Sequence, residues 1–85
     1  GAWFDSADLS GASIRMSDLS FATFWSSNLT DVSLEFSDLT SAIVRYADLT
    51  NANFNNAIVT NTDFTGTIWS NTIWTDGVAY NTNQA

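Results

Sequence analysis

The sequence has no cysteine, so neither disulfide bonds nor thiolate metal sites can stabilise so short a chain. It has no histidine, which removes the commonest general base and the commonest metal ligand. Only two basic side chains, Arg15 and Arg45, stand against nine acidic ones, for a formal net charge of −7. That imbalance opposes direct binding to nucleic acid or anionic lipid, both of which repel such a surface. Apolar residues never run for more than three in a row, so there is no transmembrane span and no signal-peptide core. The glycines (Gly1, Gly11, Gly66, Gly77) are scattered and form no phosphate-cradling loop.

What remains is still far from a disordered composition. Apolar residues make up 45% of the 85 and aromatics 14%, too many for a segment that stays unfolded. The length allows one small domain, which must find a way to bury that content. The chain opens Gly1-Ala2 without a methionine, as expected of a processed product or of one module of something longer. No compartment is indicated.

The organising feature is a repeat of five. With Leu9 as reference, the centres are Phe4, Leu9, Ile14, Leu19, Phe24, Leu29, Leu34, Leu39, Val44, Leu49, Phe54, Val59, Phe64, Trp69 and Trp74. All are apolar, an outcome with a chance probability on the order of one in a hundred thousand at this composition. Two residues before each centre stands Ala, Ser or Thr, with Val32 the exception. Five steps of an α-helix turn the side chain by roughly 140° from its start, so no stripe forms. A continuous strand would flip every second centre to the opposite face. Both conflicts vanish if the chain turns a corner once per pentad, with the centre and the small residue two before it pointing inward.

Four corners close a square, so one coil takes about twenty residues. Residues twenty apart do match best: Ala7-Asp8-Leu9-Ser10, Ser27-Asn28-Leu29-Thr30 and Ala47-Asp48-Leu49-Thr50. The same stacking puts Arg15 beside Glu35 as an ion pair, and Arg45 beside Trp25 as a cation–π pair. Fifteen pentads give just under four coils, a stub about 20 Å long at ~4.8 Å per coil.

The motif Ala-Asp-Leu-Ser/Thr-x, at Ala7–Gly11, Ser17–Phe21, Ser37–Ser41 and Ala47–Asn51, resembles that of the pentapeptide-repeat family. The resemblance implies an all-β, right-handed quadrilateral β-helix, here over residues 2–76, with 77–85 as a C-terminal cap and loose tail. It adds handedness, which the spacing does not supply. The family is numerous in cyanobacteria, and most members have no assigned activity, so the resemblance implies a fold far more than a function.

The pattern changes near the C-terminus, where Ile58, Ile68 and Ile73 take the outward position that elsewhere holds Asp or Asn. Either the last coil slips by one residue, or these groups, with Trp69, Trp74, Val78 and Tyr80, form a hydrophobic lid; the lid is the expectation. Trp3 and Phe4 are expected to cap the other end.

Two sets of outward residues are candidate sites. Met16 and Phe36 should stack at one corner. Phe21, Trp25, Ile43 and Tyr46 should lie on or beside the next face, with Arg45 among them. Exposed aromatics with arginine are the composition of interface centres, although bulky groups at turns also cover backbone. The second set comprises the acidic ladders Asp8–Asn28–Asp48 and Asp18–Asp38. In the family, some members are thought to mimic duplex DNA and occupy type II topoisomerases. Seven charges over about 20 Å give one per ~3 Å, against one per ~1.7 Å in DNA. The stub spans only about six base pairs, however, and Asp or Asn at a turn ordinarily accepts backbone hydrogen bonds.

A flat ladder does not converge six oxygens on a cation, so no metal is expected. Hydroxyl rows such as Ser10, Thr30, Thr50 and Ser70 could order water on a flat face, but strand propensity explains them as well. Solvent-facing carboxylates on a convex rod and hydroxyls without a base give no catalytic site, no cofactor and no small-molecule substrate. The expectation is a non-enzymatic module that binds a protein partner, or itself, through the aromatic face or a solenoid end. The runner-up is an acidic DNA mimic that inhibits a DNA-processing enzyme.

Overall fold

Each pentad folds as a short extended segment followed by a tight turn, and the turn is what makes the period five. The computed structural model describes residues 1–85. At nearly every turn the carbonyl of a centre accepts the N–H three residues on, as in Leu9 to Ala12, Leu29 to Val32 and Leu49 to Ala52. The third residue of each turn lies in the left-handed region, from Ser6 at φ 56° to Asn71 at 49°. This is the arrangement of a type II turn. Gly11, Gly66, Asn51, Asn56, Asn61 and Asn71 suit it, since Gly and Asn enter that region at least cost.

Four such turns make one coil. Eleven pairs of outward residues are joined in parallel, from Trp3 with Thr23 to Asn53 with Ile73, and every pair is twenty apart. Three backbone bonds per face tie each coil to the next. Leu29 N–H donates to Asp48 O, Asp31 N–H to Thr50 O, and Asp48 N–H to Ser27 O. Chain and axis therefore build a quadrilateral solenoid, 28 × 22 × 21 Å overall.

The interior is a column of centres, with small residues between them. Phe24, Leu29, Leu34, Leu39, Val44, Leu49 and Phe54 are fully buried, and so are Ala22, Ala42, Ala47 and Ala52. Five of the six polar members of the small row donate to centre carbonyls, and the sixth, Ser17, donates to Arg15 O. Ser27 and Thr67 donate to Phe24 O and Phe64 O within their own coil, and Thr62 and Thr72 donate to Leu39 O and Leu49 O of the coil before. Ser37 does more. Its hydroxyl donates to Ile14 O at 2.6 Å and accepts Ser17 N–H at 3.1 Å, replacing the backbone bond that the Ile14–Ser17 turn lacks.

The register holds to Trp74, so the last coil does not slip. Trp69 is buried and Trp74 half-buried, and together with Phe54 and Phe64 they form a cluster with centroid separations of 5.0–6.5 Å. Beyond it, β1 (Thr72–Ile73) pairs antiparallel with β2 (Ala79–Tyr80) across a turn at Gly77. The lid is narrower than the sequence suggests. Trp69, Trp74 and Tyr80 supply it, whereas Ile58, Ile68 and Val78 remain more than half exposed. The isoleucines keep the outward position of the ladder, opposite Asp38, Asp48 and Asn53, which fixes their direction whatever their polarity. The tail returns to the last coil: Asn81 Oδ1 accepts Asn71 N–H, and Asn83 Nδ2 donates to Phe64 O. At the other end Phe4 stacks on Phe24 at 5.0 Å, but Trp3 is 84% exposed and caps nothing.

Burial of the centres is graded along the axis, so their substitution should be graded too. Leu39→Ala is expected to cost about 2–5 kcal/mol, and Leu9→Ala, half-buried in the first coil, distinctly less. Urea denaturation of both variants measures the difference.

Candidate functional site

The face between the turns at residues 21 and 26 carries two outward columns. One holds Trp3, Thr23, Ile43 and Asp63, joined in that order by the parallel ladder. The other holds Asp5, Trp25, Arg45 and Thr65, each twenty from the next. Asp5 Oδ1 accepts Trp25 N–H at 2.9 Å, which fixes the backbone under the indole.

Here the structure gathers three of the expected residues. The Arg45 guanidinium lies 5.0 Å from the Trp25 ring and 5.5 Å from the Tyr46 ring, and the two rings are 5.7 Å apart. Arg45 also approaches Asp63 at 3.8 Å, but that pair is partly exposed and long, so it contributes little. Ile43 fills the middle of the face, half-buried, and Phe21 stands exposed at the turn that opens it. Met16 and Phe36 occupy the preceding turn, one face away from Phe21, and both are exposed. On that side Arg15 Nε meets Glu35 at 3.2 Å, as the twenty-residue spacing requires.

Four of these residues have a backbone peculiarity in common. Met16, Phe21, Phe36 and Tyr46 all sit at the left-handed position of their turns, at φ 55–61°. For a bulky side chain that conformation costs on the order of 1 kcal/mol or more. Tyr46 in addition lays its ring over Gly66 one coil on, so closely that a β-carbon there would meet the ring at 2.5 Å. Gly66 is thus the residue that lets Tyr46 lie flat, and no motif in the sequence announces it. Trp3 was also missed as part of this face. Its register, one before the centre Phe4, places it outward in the column of Thr23 and Ile43.

The acidic ladders form as the spacing requires: Asp8 pairs with Asn28, Asn28 with Asp48, and Asp18 with Asp38. Each Oδ1 has a local task. Asp8, Asp18, Asn28, Asp38 and Asp48 accept the N–H two residues on, from Ser10, Ser20, Thr30, Thr40 and Thr50. The hydroxyls of Ser20, Thr40, Thr50 and Thr65 bond to the same oxygen of their aspartates. Both ladders end on an apolar side chain, Ile68 after Asp48 and Ile58 after Asp38. A shallow groove of about 240 Å³ lies at the foot of the aromatic face, lined by Thr62, Asp63, Phe64, Thr65, Asn83 and Ala85. Its single carboxylate side chain, Asp63, is already bonded to Thr65.

These bonds tie the turns to pH. The hydroxyl and then the amide of Ser10, Ser20 and Thr65 hold Asp8, Asp18 and Asp63 below the ordinary value of 3.8. The Tyr80 hydroxyl does the same to Asp76 and is itself raised above 10.0. A lowered carboxylate contributes stability that is present above 3.8 and lost as pH falls through the folded-state value. A raised phenol contributes stability that is lost only as pH rises beyond 10.0. Thermal unfolding followed by circular dichroism should therefore give a flat melting temperature between about pH 5 and 9, falling on both sides.

The model of the pentapeptide repeats family matches the chain over residues 17–56 and 33–71, in eight copies. No curated protein sequence matches. Among solved structures, a pentapeptide repeat protein from the cyanobacterium Cyanothece is 26% identical, with a TM-score of 0.58, and the match covers 86% of this chain and 47% of that one. HetL, a pentapeptide repeat protein involved in heterocyst differentiation regulation from the cyanobacterium Nostoc, is 23% identical over 92% of this chain and 40% of its own, with a TM-score of 0.44. A pentapeptide repeat protein from the Arabidopsis thaliana thylakoid lumen is 24% identical over 94% and 66%, with a TM-score of 0.33. The chain thus spans about half the length of the first of these. Pentapeptide repeat proteins fold as right-handed quadrilateral β-helices, which gives the solenoid described above its hand.

Proposed function

The chain belongs to the pentapeptide-repeat family, and on that footing we propose that it is a non-enzymatic interaction module whose binding surface is the face bearing Trp25, Arg45 and Tyr46. The observation that carries this reading is the backbone under the exposed aromatics. Phe21 and Tyr46, at the turns that bound this face, hold left-handed positions that Asn or Gly would occupy at lower cost, as Met16 and Phe36 do at the preceding turn, and all four side chains are still more than half exposed. Fold stability alone favours smaller residues there. Residues that are strained and exposed at once are what a binding surface keeps for contact. The face suits a protein partner that offers flat apolar groups to the rings. Arg45, whose one ion pair is long, is placed to take a carboxylate or carbonyl at their edge.

The alternative is DNA mimicry by Asp8, Asp18, Asp38 and Asp48. It has the stacking of the ladders in its favour, but these run for only two or three coils before an isoleucine, and each Oδ1 serves its own turn.

The two readings separate by mutation. Phe21→Ser, Trp25→Ser and Tyr46→Ser together should abolish capture of a partner from host lysate and leave the fold intact. Asp→Asn at residues 8, 18, 38 and 48 should leave capture unchanged. The reverse pattern, with inhibition of type II topoisomerase supercoiling by the unaltered protein, would establish mimicry instead. The strain makes a second prediction. Met16→Asn and Phe21→Asn should each raise stability, by up to about 1 kcal/mol in urea denaturation, because Asn enters the left-handed region more readily.

A further inference from the structure

The two acidic ladders stand on opposite faces of the solenoid and are not built alike. Between the turns at residues 26 and 31 an amide separates the carboxylates, in the order Asp8, Asn28, Asp48. Between the turns at residues 36 and 41 nothing does. Asp18 pairs directly with Asp38, the one place where two carboxylates stack on consecutive coils. Neighbouring strands lie ~4.8 Å apart, and like charges directly opposite one another destabilise a ladder. Neither arginine answers the pair, since Arg15 is held by Glu35 and Arg45 lies against Trp25 and Tyr46. The Ser20 hydroxyl and amide lower the Asp18 carboxyl most, and the α-amino group of Gly1 adds the least. Each Oδ1 is engaged by Ser20 or Thr40, which leaves each Oδ2 without a bond inside the chain.

The borders of the two faces differ as well. Met16 and Phe36 occupy the turn before the Asp18–Asp38 face and Phe21 the turn after it, and Ile58 follows Asp38 in the ladder. All four are more than half exposed. The turns beside the opposite face carry small or polar residues such as Ser26, Asp31 and Asn51. Their one aromatic, Tyr46, packs toward Trp25 and Arg45. Ile68 ends that ladder too, but between the turns at Gly66 and Asn71.

We propose that the Asp18–Asp38 face docks a basic, amphipathic segment of another protein, with one arginine between the two carboxylates and its apolar neighbours against Met16, Phe36 and Ile58. A guanidinium suits the pair because it is planar and offers N–H groups along more than one edge, so a single group can reach two carboxylates one coil apart. Bound there, it replaces the like-charge contact with two ion pairs. The apolar border selects a side chain over a free ion. Two carboxylates fall short of the six oxygens calcium requires, and a hydrated ion gains nothing from Phe36. A partner that covers the border also excludes water, which strengthens the ion pairs. The net charge of −7 draws a basic partner to this surface and turns an acidic one away. This is a second surface with a partner of its own, and the proposal does not rest on the aromatic face binding anything.

Fluorescence anisotropy of the full chain with three labelled, capped peptides tests it, their alternating residues being arginine with leucine, arginine with serine, and glutamate with leucine. The arginine–leucine peptide should bind best, arginine–serine about tenfold more weakly or worse, and glutamate–leucine not at all, with added salt weakening what binds. Asp38→Asn should weaken arginine–leucine by about tenfold or more and keep the fold, because Asn28 already makes the same turn bond on the opposite face. Asp48→Asn removes the same charge from that opposite face and should change the affinity by less than about twofold. Met16→Ser with Phe36→Ser should bring arginine–leucine down to the level of arginine–serine. Equal losses from Asp38→Asn and Asp48→Asn would reduce the binding to attraction by net charge and overturn the proposal. So would arginine–serine binding as tightly as arginine–leucine, or calcium displacing the peptide at constant ionic strength. Binding lost with Trp25→Ser and Tyr46→Ser but kept in Asp38→Asn would move the peptide to the aromatic face, and overturn it too.

Discussion

The turn through a left-handed residue, once every five positions, is the constraint on which the rest of this structure depends. It redirects the chain before strand alternation can carry the next apolar centre outward, so every centre reaches the same narrow interior. The turn also sets the coil at twenty residues, and with it the partner of every N–H and C=O along the axis. Stability is then shared between neighbouring coils instead of residing in one large core, which is how so short a chain with no disulfide buries its leucines completely. The small row belongs to the same logic. A corner leaves room for Ala, or for a Ser or Thr whose hydroxyl finds a centre carbonyl, and Ser37 shows such a hydroxyl completing a turn from the neighbouring coil.

Surface chemistry follows from the same constraint. Because one residue in five must be left-handed, the identity of that residue is a choice between low backbone cost and exposed chemistry. Asn51, Asn56, Asn61 and Gly66 take the first course, and Met16, Phe21, Phe36 and Tyr46 take the second. The two meet where Gly66, having no β-carbon, makes room for the ring of Tyr46. The ladder aspartates likewise serve backbone before anything else, each accepting the amide two residues on.

The fold was legible because its signals are periodic and local. Fifteen apolar centres with small residues two before them leave few arrangements open, and the twenty-residue match identified Arg15 with Glu35 and Trp25 with Arg45 before any coordinates. The ends were harder, since a terminal coil lacks the neighbour that gives the pattern its meaning. Trp3 looked like a cap because it is large and terminal, yet its register places it on the outside. Ile58 and Ile68 looked like part of a lid because they are apolar, but the ladder fixes direction regardless of polarity. The columns of the aromatic face could be read from spacing. The left-handed strain beneath it and the clearance at Gly66 could not, because both depend on backbone angles and on how a ring lies across a coil.

Scalar coupling across hydrogen bonds, read by NMR between an amide nitrogen and the carbonyl carbon it bonds, tests the twenty-residue coil most directly. Couplings from Leu29 N to Asp48 C′, from Asp31 N to Thr50 C′ and from Asp48 N to Ser27 C′ are the predicted result. Their absence, with those amides coupled to carbonyls four residues before them or to no carbonyl at all, would contradict the account.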